Sequence, residues 1–129
     1  MTREIKIPGP DHPITITPTD GRVVVGVNGV IVADTTSALT LQESTYPAAQ
    51  YIPLADVKSE FLQRTETSTW CPFKGDASYY TLALPDGELT DVIWTYEQPH
   101  DAVAEIAGYV AFYTDRVEMV VIDEVAAPS

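Results

Sequence analysis

Thr69-Trp70-Cys71-Pro72-Phe73-Lys74-Gly75 holds the only cysteine of the chain and one of its three lysines. A thiol beside an ammonium is a candidate nucleophile or redox-sensitive group, because the cation favours the thiolate. The same ammonium is a candidate anchor for an anionic ligand. Gly75 follows it and lets backbone approach a ligand closely. Cys71 also has a plain reading, as a small buried hydrophobe. A thiolate nucleophile needs a base. The two histidines are His12, in a Pro-rich segment, and His100, in the loop after Glu97-Gln98-Pro99.

The other candidates are Arg22, Glu97 and Tyr51. Arg22 opens a β-branched run and is either a ligand cation or an ion pair at a sheet edge. Glu97 alternates onto the face of Ile93 and Thr95, where partial desolvation suits a general base. Its plain reading is a solvated strand-end carboxylate. Tyr51 sits between irregular segments and reads as a pocket wall, whereas Trp94 and Phe112 read as core. The candidate set is thus Cys71 and Glu97 for catalysis, with Lys74, Tyr51, Arg22 and Gly75 for ligand binding. Asp34 and Asp56 read as turn and helix-cap residues.

The formal net charge is -12 over 129 residues. Such a chain repels phosphates, which argues against nucleic acid and anionic membrane as partners. A single cysteine makes no internal disulfide and no multi-cysteine metal site, so no metal and no cofactor is expected. No signal peptide or membrane-spanning stretch is read, and the cytoplasm is the expected location. The length fits one domain over 1–129, with an ordered core at about 14–123 and extended tails at 1–12 and 126–129.

Turn-bounded alternating runs position these residues. Ile14–Thr17, Arg22–Val27, Val30–Ala33 and Ala38–Gln42 read as strands. Asn28-Gly29 is a strong hairpin signal between two of them. Asp56 heads an expected helix to about Arg64, on the spacing of Val57, Phe61 and Leu62. Ala77–Leu84 and Leu89–Tyr96 flank the turn Pro85-Asp86-Gly87, and Tyr109–Tyr113 pairs with Val117–Asp123. A short helical turn is expected in 99–107, with Gly108 ending it. The expected fold is mainly β (α+β), a compact antiparallel domain, tent- or barrel-like, with one short helix.

The chain resembles the bacterial family of the domain of unknown function 427. The resemblance rests on Arg22-Val23-Val24-Val25, Val30 to Thr35, Ala38-Leu39, Glu43, Tyr46-Pro47, Tyr51-Ile52-Pro53 and Asp56-Val57. It continues through Thr69 to Gly75, Tyr79-Tyr80, Trp94 to Glu97 with Pro99, and Gly108 to Tyr113. It covers residues from about 20 to 122, and Trp70 and Phe73 replace less bulky residues or Tyr. The resemblance implies a compact, mostly β fold. The family carries a nucleotidyltransferase label, but metal-dependent nucleotidyl transfer is not expected here. No Gly-Ser pair with following alternating aspartates is present. The leading expectation is a domain binding a small polar or anionic molecule around the Cys71–Gly75 turn. The alternatives are a non-catalytic protein-interaction module and a nucleotidyltransferase-like enzyme. Whether a reaction is catalysed, and the oligomeric state, stay open.

Overall fold

The computed structural model describes residues 5–122. The strands are β1 (Ile14–Pro18), β2 (Arg22–Val27), β3 (Val30–Thr35), β4 (Leu39–Glu43) and β5 (Ala49–Pro53). They continue as β6 (Leu62–Cys71), β7 (Gly75–Leu84), β8 (Gly87–Thr95), β9 (Tyr109–Phe112) and β10 (Glu118–Ile122). They form a seven-stranded sheet, ordered β1-β4-β5-β9-β8-β7-β6, and a three-stranded sheet, β10-β2-β3. Every pairing is antiparallel. The mainly β expectation therefore stands, and the sheets do not close into a barrel.

Strand alternation divides the large sheet between two apolar clusters. One face sends Ile52, Leu82, Ile93, Val110 and Phe112 against Val23, Val25 and Val32 of the small sheet. The other face carries Leu41, Tyr51, Ala77, Tyr79 and Ala111. Tyr51 and Ile52 are successive residues in different clusters, as period-two side chains require. In the β2–β3 hairpin, Asn28 and Gly29 take φ 51° and 82°, which is the positive backbone the turn needs. The pairing shifts after Val25↔Ala33, and Gly26 then meets Ile31. This bulge puts both Val32 and Ala33 into the core.

The expected helix over 56–64 does not form. Its place is taken by single 3-10 turns at Leu54–Asp56 and Ser59–Phe61, and β6 begins at Leu62. Tertiary pairing overrides a short periodic pattern here. Val57 bridges to Ala33, and the Lys58 amide donates to the Val32 carbonyl at 2.8 Å. The Thr-rich stretch after Arg64, before which the expected helix would end, belongs to the ten-residue strand β6. Among the described residues, the longest helical segment is instead the 3-10 stretch Asp101–Ile106, which buries Val103 and Ile106. Gly108 follows with φ 82°.

Residues 5–12 run along the β6–β7 turn. The Lys6 amide donates to the Pro72 carbonyl at 2.9 Å, and the His12 ring stacks on Phe73 at 4.0 Å. Among the described residues, no helix is long and apolar enough to cross a membrane. Residues 123–129, including the expected strand end Asp123 and the tail 126–129, lie outside the description.

Candidate functional site

The face of the large sheet opposite the small one carries a cleft of about 260 Å³. Its walls come from β4, β5, β7 and β8, with the β4–β5 connection and the β6–β7 turn closing two sides. Period-two alternation explains why it is aromatic. Tyr51, Tyr79 and Trp94 project from one face of three different strands, and Tyr79 is the cross-strand partner of Trp94. Tyr96 and Tyr113 continue the wall just past β8 and β9.

Lys74 reaches this cleft because of how the turn is built. Cys71 pairs with Gly75 across the hairpin, and the Lys74 amide donates back to the Cys71 carbonyl at 3.2 Å. The side chain crosses to β4, where its ammonium donates to Glu43 Oε1. His12 Nε2 bonds the other carboxylate oxygen, Oε2, at 2.8 Å. The side chains of Lys74 and Glu43 are 11% and 13% exposed. A carboxylate taken that far from water must be paired. Burial works to raise the Glu43 pKa, but the bonds from Lys74 and His12 outweigh it and hold it below the usual carboxylate range. The Lys74 ammonium also lies 5.8 Å from the Tyr96 ring centroid.

Tyr51, Tyr96 and Tyr113 are held in the phenol form. Burial pushes Tyr51 well up, and the nearby Glu43 charge acts the same way against an opposing bond from Trp94. Burial likewise raises Tyr96. Burial and the Tyr79 hydroxyl raise Tyr113.

Of the six residues singled out from sequence, Tyr51 and Lys74 meet in the cleft. Cys71 and Gly75 build the turn that carries Lys74. Cys71 is half-buried against the Tyr51 cluster. Gly75 has φ 113°, and a Cβ there would lie 3.4 Å from the Gln98 carbonyl oxygen and from the His100 ring. Its role in the fold is close packing under His100. Arg22 and Glu97 lie elsewhere. Arg22 grips Asp34 of β3 with two bonds, Nε to Oδ1 at 2.7 Å and Nη2 to Oδ2 at 2.5 Å. Glu97 is exposed and takes a bond from Arg64 at 2.9 Å.

Sequence reasoning left out Glu43, His12, Tyr96 and Trp94 as site residues. Trp94, expected as core, is a half-buried cleft wall, while Phe112 is core as expected. The available signal was the alternation of Trp94 and Tyr96 on one face. Nothing local to His12 or Glu43 foretells a contact across 31 residues.

The carboxylates Asp34, Glu43, Asp56 and Glu97 are dispersed. Asp34 binds Arg22, Asp56 accepts from Thr35 at 2.6 Å, and Glu43 and Glu97 are placed as above. Among the described residues, no three His, Cys, Asp or Glu side chains cluster to hold a metal ion. None of the curated proteins matches the chain. The family described as domain of unknown function (DUF427) matches residues 15–123, which spans the β6–β7 turn and every residue lining the cleft, with His12 just outside it. The chain belongs to that family.

Proposed function

We propose that this protein is a cytoplasmic domain that binds a small polar or anionic molecule in the tyrosine-lined cleft, with Lys74 as the polar anchor. The carrying observation is one nearly buried ammonium at the end of an aromatic cleft, held there by Glu43. Concave, mostly aromatic surfaces with a few convergent polar groups are the usual form of a ligand site. Binding is favoured over acid–base chemistry by the state of the lining groups. Tyr51 and Tyr96 are raised far from neutrality, and Glu43 is held low, so none is matched to proton transfer near pH 7.

A fragment screen read by thermal unfolding tests this, because a ligand that binds only the folded state raises the melting temperature. Hits should perturb NMR signals of Tyr51, Lys74 and Trp94 together. The rival reading, a protein-interaction module, draws on the exposed apolar side chains Ile31, Val120 and Val121 of the small sheet. Hits that map to β3 and β10 instead of the cleft, or no hits at all, would overturn the proposal.

A further inference from the structure

Resting on that reading of the cleft, we infer that its ligand is a single planar ring bearing a hydrogen-bond acceptor, neutral or singly charged, with amines and phosphate esters rejected. The cleft has a surplus of donors. An ammonium carries three N–H groups. One of those on Lys74 goes to Glu43, and no other protein acceptor takes the remainder among the described residues. The Tyr51 hydroxyl accepts from the Trp94 indole at 3.0 Å, so its own proton is left to donate. The Tyr96 hydroxyl has no protein hydrogen-bond partner among the described residues. Tyr79 does not add to the surplus, since its hydroxyl is paired with Thr69 at 2.9 Å. The one carboxylate, Glu43, already receives Lys74 and His12 on separate oxygens.

These donors lack a protein partner but are not buried orphans, since the buried side-chain atom left without a partner among the described residues is His100 Nδ1. A ligand that displaces water from the cleft must therefore supply acceptors in its place. A ligand ammonium would bring more donors and would face Lys74 as a like charge. The raised phenols support the same polarity, since Tyr51 and Tyr96 keep their protons near neutral pH.

Shape and charge narrow the class further. The cleft, at about 260 Å³, falls just below the roughly 300–1,000 Å³ of drug-sized sites, which leaves room for one ring and a small substituent. Trp94 and Tyr113 lie 4.6 Å apart with planes at 49°, and Tyr51 stands edge-on to Trp94 at 6.3 Å. These rings pack on one another with no slot between them, and form one aromatic surface against which a ligand ring can lie stacked or edge-on. Lys74 and Glu43 together are neutral, and the chain as a whole carries -12. A doubly charged phosphate ester gains one paired cation and meets that field.

Four probes share one ring and differ in the polar group: benzamide, benzoate, benzylamine and phenyl phosphate. The readout is the indole Nε1–H signal of Trp94, assigned by comparison with Trp70→Phe. Benzamide and benzoate should shift it saturably, with dissociation constants about tenfold or more below those of benzylamine and phenyl phosphate. Tyr96→Phe removes one donor and leaves the ion pair intact. It should weaken benzamide severalfold with the fold unchanged. Benzylamine or phenyl phosphate binding as tightly as benzamide, or an unchanged benzamide constant in Tyr96→Phe, would overturn the donor-surplus inference and leave the cleft a ligand site. If no probe moves Trp94 at tens of millimolar, the cleft reading fails, and this inference fails with it.

Discussion

The Trp94 indole donates to the Tyr51 hydroxyl at 3.0 Å across an intervening strand. β9 lies between their strands, and the residue opposite Trp94 there is Ala111. A methyl at that point leaves space for a large ring on each side. Tyr51→Phe removes the acceptor and leaves a shielded indole N–H without its partner. The expected loss is about 1–2 kcal/mol of stability in urea unfolding. A double-mutant cycle with Trp94→Phe should return a coupling of about 1 kcal/mol. Additive single effects would show that the bond contributes nothing to the fold.

The limits of the sequence follow from the range over which each signal acts. Asn28-Gly29 fixed a hairpin because a positive φ at two adjacent residues is a local demand. The 56–64 segment misled because Val57 and Phe61 satisfy a helical spacing by themselves. Their real partners, Ala33 for Val57 and the main cluster for Phe61, are distant in sequence. Lys74 was legible as an unusual cation in an acidic chain. Its partner was not, because any of many carboxylates could have met it. Glu97 alternated correctly on paper, but the strand ends at Thr95 and the chain turns it outward to Arg64.

Gly75 gives a second expectation. Its φ of 113° is a conformation that residues with a Cβ rarely adopt, and His100 packs against its open side. Gly75→Ala should cost about 1–3 kcal/mol through backbone strain and the displaced ring. It should also alter the environment of Trp70, whose ring lies 5.4 Å from that of His100. Equal chemical-denaturation midpoints for mutant and parent would show that the turn adapts freely.

The charged cluster predicts a pH dependence. The folded Glu43 pKa lies below its ordinary value of 4.5, because bonds from Lys74 and His12 outweigh burial. A depressed carboxylate contributes stability that is present above the unfolded pKa and is lost as pH falls through the folded one. Stability should therefore fall as the solution is acidified from about pH 5. Asp34 and Asp91 are also lowered, chiefly by bonds from Arg22 and from Thr67, and they titrate in the same direction. Glu43→Gln isolates the cleft's share, and its acid limb should be shallower than that of the parent. Parallel acid limbs would mean that Lys74 and His12 do not favour the charged form of Glu43.

Lys74 and Glu43 are best tested as a pair. Lys74→Met leaves a mostly buried carboxylate with His12 as its remaining bonded partner. Breaking a buried pair from one side leaves an uncompensated charge, at a cost of about 3–5 kcal/mol when burial is complete. The side chains here are 11% and 13% exposed. Residual solvation lowers the expected loss to about 2–4 kcal/mol. Replacing both residues, Lys74→Met with Glu43→Leu, removes the stranded charge and both desolvation costs. The double variant should recover most of the lost stability while losing affinity for any acceptor-bearing ligand. This separates structure from function, because a merely structural pair would leave binding intact once stability returned. A double variant no more stable than Lys74→Met would show that the loss does not come from the unpaired carboxylate but from other contacts of Lys74, such as its ammonium over the Tyr96 ring.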